Sequence, residues 1–572
     1  MNDPIDLDRR RILGLTVGLG LGALGGCCTL RPFPSAEIQR PPPGKSSILP
    51  ILRPSTISSY GKPKGVKYCL DAHTHFFNAS DVNVKGFIEG PVAHSIKNDE
   101  LRVLAEQLSP LVDELAGLAP TSPEEYRDLL AMMGKATAGR SMDGRTLDAI
   151  AERKRKEVGQ AIIDEMEKRK LKEKFMYLYG KGVSGGRARV KDFDQVIFES
   201  LDPLLALPSE AEVSGRSRAI GASQVDPRWL IQFIGNMLSP RWSLLRAYQK
   251  VYTEGERSFG IDGAFASLVD FDYFLSCPAR SNREDQVKLQ SLLSLLSGGY
   301  MLPLVGYNPW TDIKRHEASF ELVKTAVNEY GFVGVKIYPP IGFFPYGNAT
   351  LPMSSSKPRP SDLKELDRKL ETLFTWCADR GVPVMAHTGE SMGRDDASDE
   401  YSNPVGWGLL LDRFDGKIAP RINAGHFGGD MPKPGGPGNE WPTEFAKLAN
   451  RPAGKGFYGD LGYWDTFMEC GPTKNGCNTA LKRLKSALRE NPEMANRIMY
   501  GSDWLMFSKV PYWGSYPENL YQAVRDILPA EPLFYQNAIN CFGLGKGGRQ
   551  RDRILSRFQA TPAGPPAWLQ EL

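Results

Sequence analysis

Eight short apolar runs recur between residues 66 and 501, and each closes on polar residues or on glycine and proline. The runs are Val66–Asp71, Ala266–Phe274, Tyr300–Tyr307, Phe332–Tyr338, Val382–Ala386, Arg421–Gly425, Gly456–Gly459 and Arg497–Gly501. Helical patterns lie between them, and this alternation is typical of a parallel β/α architecture. Eight strand–helix units predict an α/β fold, a closed (β/α)8 TIM barrel, whose functional residues belong at the carboxyl ends of the strands.

Four of the six histidines and one aspartate stand at the ends of these predicted strands. His73 and His75 follow the first run, and because strand side chains alternate in direction, both point to one face. His387, His426 and Asp503 follow the fifth, sixth and eighth runs. Two histidines two residues apart are weak evidence alone, but the joint placement indicates a functional site.

The segments that carry these residues resemble the amidohydrolase superfamily. They are Asp71-Ala72-His73-Thr74-His75, Ala386-His387-Thr388-Gly389-Glu390, Ala424-Gly425-His426-Phe427-Gly428-Gly429 and Tyr500-Gly501-Ser502-Asp503-Trp504. The sequence is most similar to the amidohydrolase-related (amidohydrolase 2) branch, which also holds decarboxylases and a lactonase. The resemblance covers residues 67–94 and 262–546, and it omits the segment between them.

The resemblance implies a divalent metal held by His73, His75, His387 and Asp503. Histidine and carboxylate ligands suit zinc first, with manganese, iron or cobalt as alternatives. Such a metal can bring the pKa of a bound water to about 7 and so activate it as a nucleophile. Asp503 is suited to accept the proton of that water, and His426 to polarise the substrate or donate a proton. The competing assignment makes His426 a ligand of a second metal.

Lys336 bears on the number of metals. In binuclear relatives a carboxylated lysine at the end of the fourth strand bridges two ions, and Lys336 stands at about that place. The surrounding segment Gly334–Pro340 resembles that of mononuclear relatives, so we expect one ion rather than two. Lys336, Tyr338, Glu390 and Trp407 are then candidates for contact with the substrate.

The implied activity is hydrolysis of an amide, ester or lactone bond in a small molecule by a metal-activated water. One alternative is a nonoxidative decarboxylase of an aromatic or unsaturated acid on the same metal site. A second is a noncatalytic binding protein that keeps the fold. A net charge of +4 on 572 residues is too small for a surface that tracks phosphates, so nucleic acid is not an expected partner.

Residues 95–261 interrupt the link from strand one to strand two with helical patterns. Ser122-Pro123-Glu124-Glu125 has the sequence of a helical capping box. Because this insertion leaves from the catalytic end of the barrel, we expect a helical cap over the metal. A subunit interface in a homo-oligomer is the alternative. Residues 547–572 contain several prolines and predict a surface tail.

Residues 1–28 have the order of a bacterial export signal. Arg9-Arg10 before an apolar run resembles the twin-arginine type, and Leu24-Gly25-Gly26-Cys27 resembles a lipobox whose Cys27 is lipidated. Residues 29–66 are rich in proline and predict an extended tether. We therefore expect an exported lipoprotein of the periplasm or cell envelope, anchored on a membrane surface by its lipid. In such an oxidising compartment Cys470 and Cys477 are close enough in sequence to form a disulfide.

Overall fold

The computed structural model describes residues 48–93, 96, 98–183, 191–208, 226–275, 278–352, 360–389, 396–430, 440–471, 474–475 and 477–571. The predicted export signal with Cys27, the tether as far as residue 47, and Glu390 lie outside these residues. None of the helices in the described part of the chain combines the length and apolar character needed to cross a membrane.

Eight parallel strands pair in the order in which the chain makes them. They are β1 Leu70–Thr74, β2 Gly263–Ser267, β3 Met301–Tyr307, β4 Gly334–Ile337, β5 Val384–His387, β6 Ile422–Gly425, β7 Phe457–Asp460 and β10 Ile498–Met499. The first and last strands meet, because the Ala72 amide donates to the Tyr500 carbonyl at 3.0 Å and the Asp503 amide donates to the His73 carbonyl at 2.7 Å. The prediction of a (β/α)8 barrel is confirmed.

Seven of the predicted strands lie within a few residues of the observed ones, and the second is the exception. The run Ala266–Phe274 predicts a strand, but β2 is Gly263–Ser267. The apolar side chains of Val269 and Phe271 lie beyond the strand and line a cavity at the barrel mouth. An apolar run therefore continues past the strand end, because a ligand cavity and a barrel core select the same residue types.

In the described part of the chain, twelve further α-helices follow the insertion and include those that surround the barrel. They are Arg283–Leu296, Pro309–Lys314, Ala318–Asn328, Pro360–Arg380, Asp396–Asp399, Pro404–Arg413, Trp441–Ala449, Asn478–Glu490, Tyr516–Val524, Asn537–Cys541, Arg549–Gln559 and Ala567–Gln570. A short antiparallel pair, β8 Cys470–Gly471 and β9 Lys474–Asn475, follows β7. Cys470 and Cys477 form a disulfide beside this pair.

The segment between β1 and β2 is helical, as predicted. Its α-helices are α1 Val84–Phe87, α2 Asp99–Leu115, α3 Ser122–Thr137, α4 Gly144–Lys168, α5 Lys172–Val183, α6 Phe193–Ser200, α7 Arg228–Met237 and α8 Arg241–Gln249. The capping box at the start of α3 lies one residue earlier than predicted. Thr121 is the N-cap, and its backbone amide donates to the Glu124 carboxylate at 2.8 Å.

Both ends of the described chain pack on the barrel, which corrects two predictions. In the predicted tether, Ile48 and Leu52 are buried, and the Leu52 amide donates to the Leu296 carbonyl at 2.9 Å. In the predicted surface tail, Phe558 and Trp568 are buried, so residues 549–570 belong to the fold. Proline content suggests a loop, but a few well-spaced apolar side chains suffice to dock these segments.

Candidate metal centre

The end of β1 and the turn after β10 bring three predicted ligands together. Asp503 Oδ1 lies 3.3 Å from His73 Nε2 and 3.2 Å from His75 Nε2. All three side chains are buried. The backbone at Asp503 is left-handed, with φ 57°, a conformation that non-glycine residues rarely adopt. The pairing of β1 with the chain after β10 holds the carboxylate in this position.

The histidine rings are fixed from behind by their Nδ1 atoms. His75 Nδ1 donates to the Ser267 carbonyl at 2.8 Å, and His426 Nδ1 donates to the Gly462 carbonyl at 2.8 Å. A carbonyl oxygen only accepts, so each of these nitrogens carries a hydrogen, and Nε2 is the ring atom left to face the cluster. Such anchoring of the second ring nitrogen is what metal-ligating histidines need.

His73 is anchored by a carboxylate that lies outside the motifs of the family resemblance. Its Nδ1 lies 3.0 Å from Asp460 Oδ1, at the end of β7. Asp460 also accepts from the amides of His426 and Gly462 and from the Asn423 side chain, so four groups fix its position. Its place at a strand end was the available signal, but a single aspartate there does not reveal which histidine it orients.

The electrostatics of the cluster favour a bound cation. Burial, aided by the positive charge of Lys336, holds the pKa of His73 well below its usual value. Burial also lowers the pKa of His426. For Asp503 burial would raise the pKa, but His73, His75 and His426 outweigh burial and hold it well below the usual range. Two imidazoles whose Nε2 atoms face one carboxylate oxygen need a proton or a cation between them, and burial disfavours the protonated form of His73, so these residues fit a divalent metal.

His387 and His426 lie side by side, with ring centroids 4.5 Å apart. The backbone at His426 is left-handed, with φ 68°. Ligand atoms of His73, His426 and Asp503 all lie within 4.8 Å of one another. The structure thus brings His426, which the resemblance placed beside the metal as a proton donor, into the same cluster as two of the expected ligands.

Lys336 is buried on β4, and its Nζ lies 3.2 Å from His73 Nε2. Burial lowers the pKa of Lys336 to about 8. The amine therefore lies at the cluster. This position is compatible with both expected roles, as a carboxylated bridge between metals and as a contact to the substrate.

A cavity of about 160 Å3 opens on this cluster. Its charged and imidazole side chains are His75, Lys336, His387, His426, Asp430, Asp465, Asp503 and Lys509. Its other walls are mainly apolar and aromatic, and they include Phe77, Phe87, Pro91, Val269, Phe271, Tyr338, Tyr463 and Met506. A largely apolar hollow with a few convergent polar groups is the usual form of a small-molecule site.

The predicted substrate-contact residues separate into two groups. Tyr338 lines the cavity, with its ring centroid 4.6 Å from that of His387. Trp407 does not reach it: its ring packs against Phe374 and Phe457, at 6.1 and 6.0 Å, between an outer helix and β7. Its prediction as a substrate contact is wrong, because the helix Pro404–Arg413 turns that side chain toward the core.

The inserted helices also differ from expectation. Among the described residues, the cavity lining includes Phe87 and Pro91 near the start of the insertion but none from 95–261. Helix α8 of the insertion instead contacts the segment of β1 that carries the predicted ligand His73. Tyr248 on α8 donates to Asp71 at 2.8 Å, and Asp71 accepts from the amides of His73 at 3.1 Å and Ser502 at 2.9 Å.

Comparison with known proteins agrees with the motifs. Residues 306–544 match the family model described as Amidohydrolase (Amidohydro_2), which confirms the resemblance over that part of the chain. No curated protein matches the chain.

Three solved structures are among those to which parts of this chain are similar. An uncharacterised TIM-barrel protein from Bordetella bronchiseptica is 15% identical, with 58% of this chain and 89% of that chain covered and a TM-score of 0.35. A probable 2-pyrone-4,6-dicarboxylic acid hydrolase from Acinetobacter baumannii is 15% identical, with 50% and 84% covered and a TM-score of 0.31. A 2,6-dihydroxybenzoate decarboxylase from Rhizobium is 16% identical, with 50% and 85% covered and a TM-score of 0.30. These likenesses are too distant to bear on the reaction.

Proposed function

We propose that this chain, whose residues 306–544 match the amidohydrolase family, is a metal-dependent hydrolase of an amide, ester or lactone bond in a small molecule. The observation that carries the proposal is the buried Asp503 carboxylate, which faces His73 Nε2 and His75 Nε2 at 3.3 and 3.2 Å beside a largely apolar cavity. A cluster of this kind fits a divalent cation, and a metal beside a small-molecule cavity can activate a water for hydrolysis.

The proposed ligands are His73, His75, His387 and Asp503, with zinc as the first candidate and manganese, iron or cobalt as alternatives. When bound, a divalent ion supplies Lewis acidity to the polar end of the cavity. The alternative set has His426 in place of His387. A ligand atom of His426 already lies within 4.8 Å of those of His73 and Asp503. One ion per chain remains our expectation.

The protein groups have separate tasks in this proposal. Asp503 is ionised at neutral pH, since its pKa is held well below the usual range, and it accepts a proton from the attacking water. His426 keeps its Nδ1 hydrogen on the Gly462 carbonyl, so its Nε2 is the atom that takes up and returns a proton at the leaving group. Tyr338 and the aromatic walls orient the substrate and exclude bulk water.

Nonoxidative decarboxylation is the second candidate, and the cavity itself favours it. About 160 Å3 of mainly apolar space is close to the roughly 150 Å3 that holds one benzene molecule, and Lys336 adds a cation at the metal cluster. An aromatic acid would fit these features.

The test is elemental analysis of the purified protein beside His387→Ala and His426→Ala, with His316→Asn as the matched control. His316 is an exposed histidine outside the cluster, and asparagine tolerates its left-handed backbone (φ 49°). We expect one transition metal per chain in the native protein and in the control. Loss in His387→Ala alone supports the first ligand set, and loss in His426→Ala alone supports the second.

The same preparations are assayed on a panel of esters, lactones, amides and aromatic acids, with and without a chelator. Chelator-sensitive cleavage of an ester, lactone or amide supports the hydrolase, and carbon dioxide release from an acid supports the decarboxylase. A protein that takes up no metal under any loading condition would refute both proposals and leave a noncatalytic binding protein.

We also propose that the chain is exported and anchored by a lipid on Cys27. The lipobox sequence Leu24–Cys27 supports this proposal. Mass spectrometry of the mature N-terminus tests it: a diacylglyceryl-modified Cys27 is expected, and a free, unmodified terminus would contradict it.

A further inference from the structure

Lys509 is a cation at the cavity that the proposed reaction does not use. It follows the turn that carries Asp503 and lines the same cavity as His75 and Asp503. Its ammonium donates to the Met506 carbonyl at 3.2 Å, the one acceptor it has among the described residues. Its other N–H groups have no protein acceptor in that part of the chain.

The rings around Lys509 hold it in place. Its Nζ lies 4.7 Å from the centroid of Tyr463 and 5.8 Å from that of Phe233 on α7, both within range of a cation–π contact. Tyr463 has a left-handed backbone, with φ 57°, so the turn after β7 is shaped to place this ring beside the ammonium. A surface lysine whose side chain extends into water lacks such contacts with aromatic rings.

No carboxylate oxygen of the described residues lies within 4.0 Å of Lys509 Nζ, whereas two other lysines of low exposure have such a partner. Lys62 pairs with Asp262 at 2.7 Å, and Lys369 pairs with Glu317 at 2.7 Å. Asp503 and Asp465 act on Lys509 only at longer range, and burial lowers the pKa of its amine to about 8. The ammonium is still largely protonated at pH 7, and a half-buried cation with no carboxylate in direct contact can form a charge-assisted hydrogen bond to an anionic ligand.

The rest of the cavity limits the body of that ligand. Phe77, Phe87, Phe271, Tyr338 and Met506 form apolar walls around about 160 Å3. That volume accepts a molecule of about one six-membered ring.

We propose that Lys509 is a specificity-determining residue that binds a carboxylate on a ring-sized apolar substrate. The proposal deepens the proposed function, on which it rests for the assumption that the substrate occupies this cavity. In this arrangement Lys509 holds the substrate by its charge, and the His–Asp cluster carries out the chemistry.

The test compares benzoate with its neutral isostere benzamide by isothermal titration calorimetry on the metal-loaded protein at pH 7. A charge-assisted hydrogen bond to a carboxylate predicts that benzoate binds about tenfold or more tightly than benzamide. Lys509→Met should bring the ratio of dissociation constants to about 1, whereas Lys509→Arg, which keeps the charge, should retain most of the preference. Lys324→Met on the outer helix Ala318–Asn328 is the matched control and should bind like the native protein.

Two outcomes overturn the proposal. If Lys509→Met keeps the preference for benzoate, the carboxylate is held elsewhere, on the metal or Lys336. If the folded native protein binds neither ligand, or both equally, the cavity does not select carboxylates. Circular dichroism of the Lys509 variants excludes misfolding as the cause of lost binding. Because binding is measured without turnover, benzoate preference in a protein that hydrolyses nothing would count against the hydrolase proposal and leave the Lys509 site intact.

Discussion

The barrel and its inserted helices each bury a cluster of charged side chains, and the two clusters differ in how completely they are satisfied. In the insertion, Arg241 on α8 binds Asp81 through Nε at 2.7 Å, Glu125 through Nη1 at 2.9 Å and Ser80 through Nη2 at 2.7 Å. In the barrel, Asp503 faces the Nε2 atoms of two histidines whose hydrogens are fixed on the far side of the rings.

This difference separates a structural cluster from a binding cluster. Arg241 brings a positive charge and several donors to two carboxylates, so its cluster is complete within the protein. The barrel cluster collects the Asp503 carboxylate and the Nε2 atoms of His73 and His75 around one point beside a cavity, with the Lys336 ammonium 3.2 Å from His73 Nε2. Buried charge alone therefore does not mark a functional site, whereas buried ligand atoms that converge beside a cavity do.

The largest loss of stability is expected from a substitution in the Arg241 cluster. Arg241→Met leaves Asp81 and Glu125 buried without their partner, and removal of one member of a buried ion pair costs about 3–5 kcal/mol. Urea denaturation should show this loss in the free energy of unfolding. Lys154→Met, which removes an exposed pair with Glu157, is the control and should change little. A change below about 1 kcal/mol in Arg241→Met would mean that this cluster does not hold the insertion on the barrel.

At the barrel cluster, the stability of the protein should instead depend on bound metal. Zinc at a hundredfold excess over its dissociation constant should stabilise the native protein by about 2.7 kcal/mol, because only the folded state assembles the ligands. Asp503→Asn should abolish that gain while Arg241→Met retains a metal-dependent increase in melting temperature. Differential scanning calorimetry with zinc and with chelator measures both. Equal stabilisation of native protein and Asp503→Asn would place the metal elsewhere.

Tyr248 connects the two regions. Its substitution should lower both the stability of the protein and its affinity for metal, each by a smaller amount. Tyr248→Phe removes the hydrogen bond to Asp71 and should cost about 1 kcal/mol of stability. Because Asp71 fixes the amides of His73 and Ser502, metal affinity should also fall by about tenfold, as for other outer contacts of metal ligands.

The matched control for this variant is Tyr252→Phe, whose hydroxyl donates to the Trp513 carbonyl at 3.0 Å instead. It should lose similar stability and keep its zinc affinity, measured by competition with a chromogenic chelator. An equal loss of zinc affinity in both variants would show a general loosening of the fold rather than a link from α8 to the ligands.

The smallest effect is expected at the rim of the insertion. Asp148 pairs with Arg246 at 3.1 Å, but its side chain is 36% exposed, and Arg246 keeps Glu254 as a second partner. Asp148→Asn should therefore change the free energy of unfolding by less than about 1 kcal/mol in urea denaturation. A loss as large as that of Arg241→Met would remove the distinction between the rim and the anchored face.

Sequence patterns were sufficient for the barrel because its strands repeat one simple rule. Each run is apolar where the strand is buried and polar where it ends, so His73, His75, His387, His426 and Asp503 could be assigned to one end of one sheet before any contact was known. The pattern could not separate Val269 and Phe271 from strand β2, since a cavity wall and a core are both apolar. It also misread the termini, where residues such as Leu52 and Trp568 dock singly.

The sequence by itself determined the barrel, the helical insertion and the histidine–aspartate set, because periodicity and strand-end placement are local properties of the chain. Only the tertiary structure decided which groups orient that set and which lie apart from it. Asp460 holds His73 across 387 residues of chain and Tyr248 holds Asp71 across 177, while Trp407 packs into the core. Such partners meet only when the barrel closes and the insertion packs on it. Local sequence patterns do not indicate which distant residues come into contact.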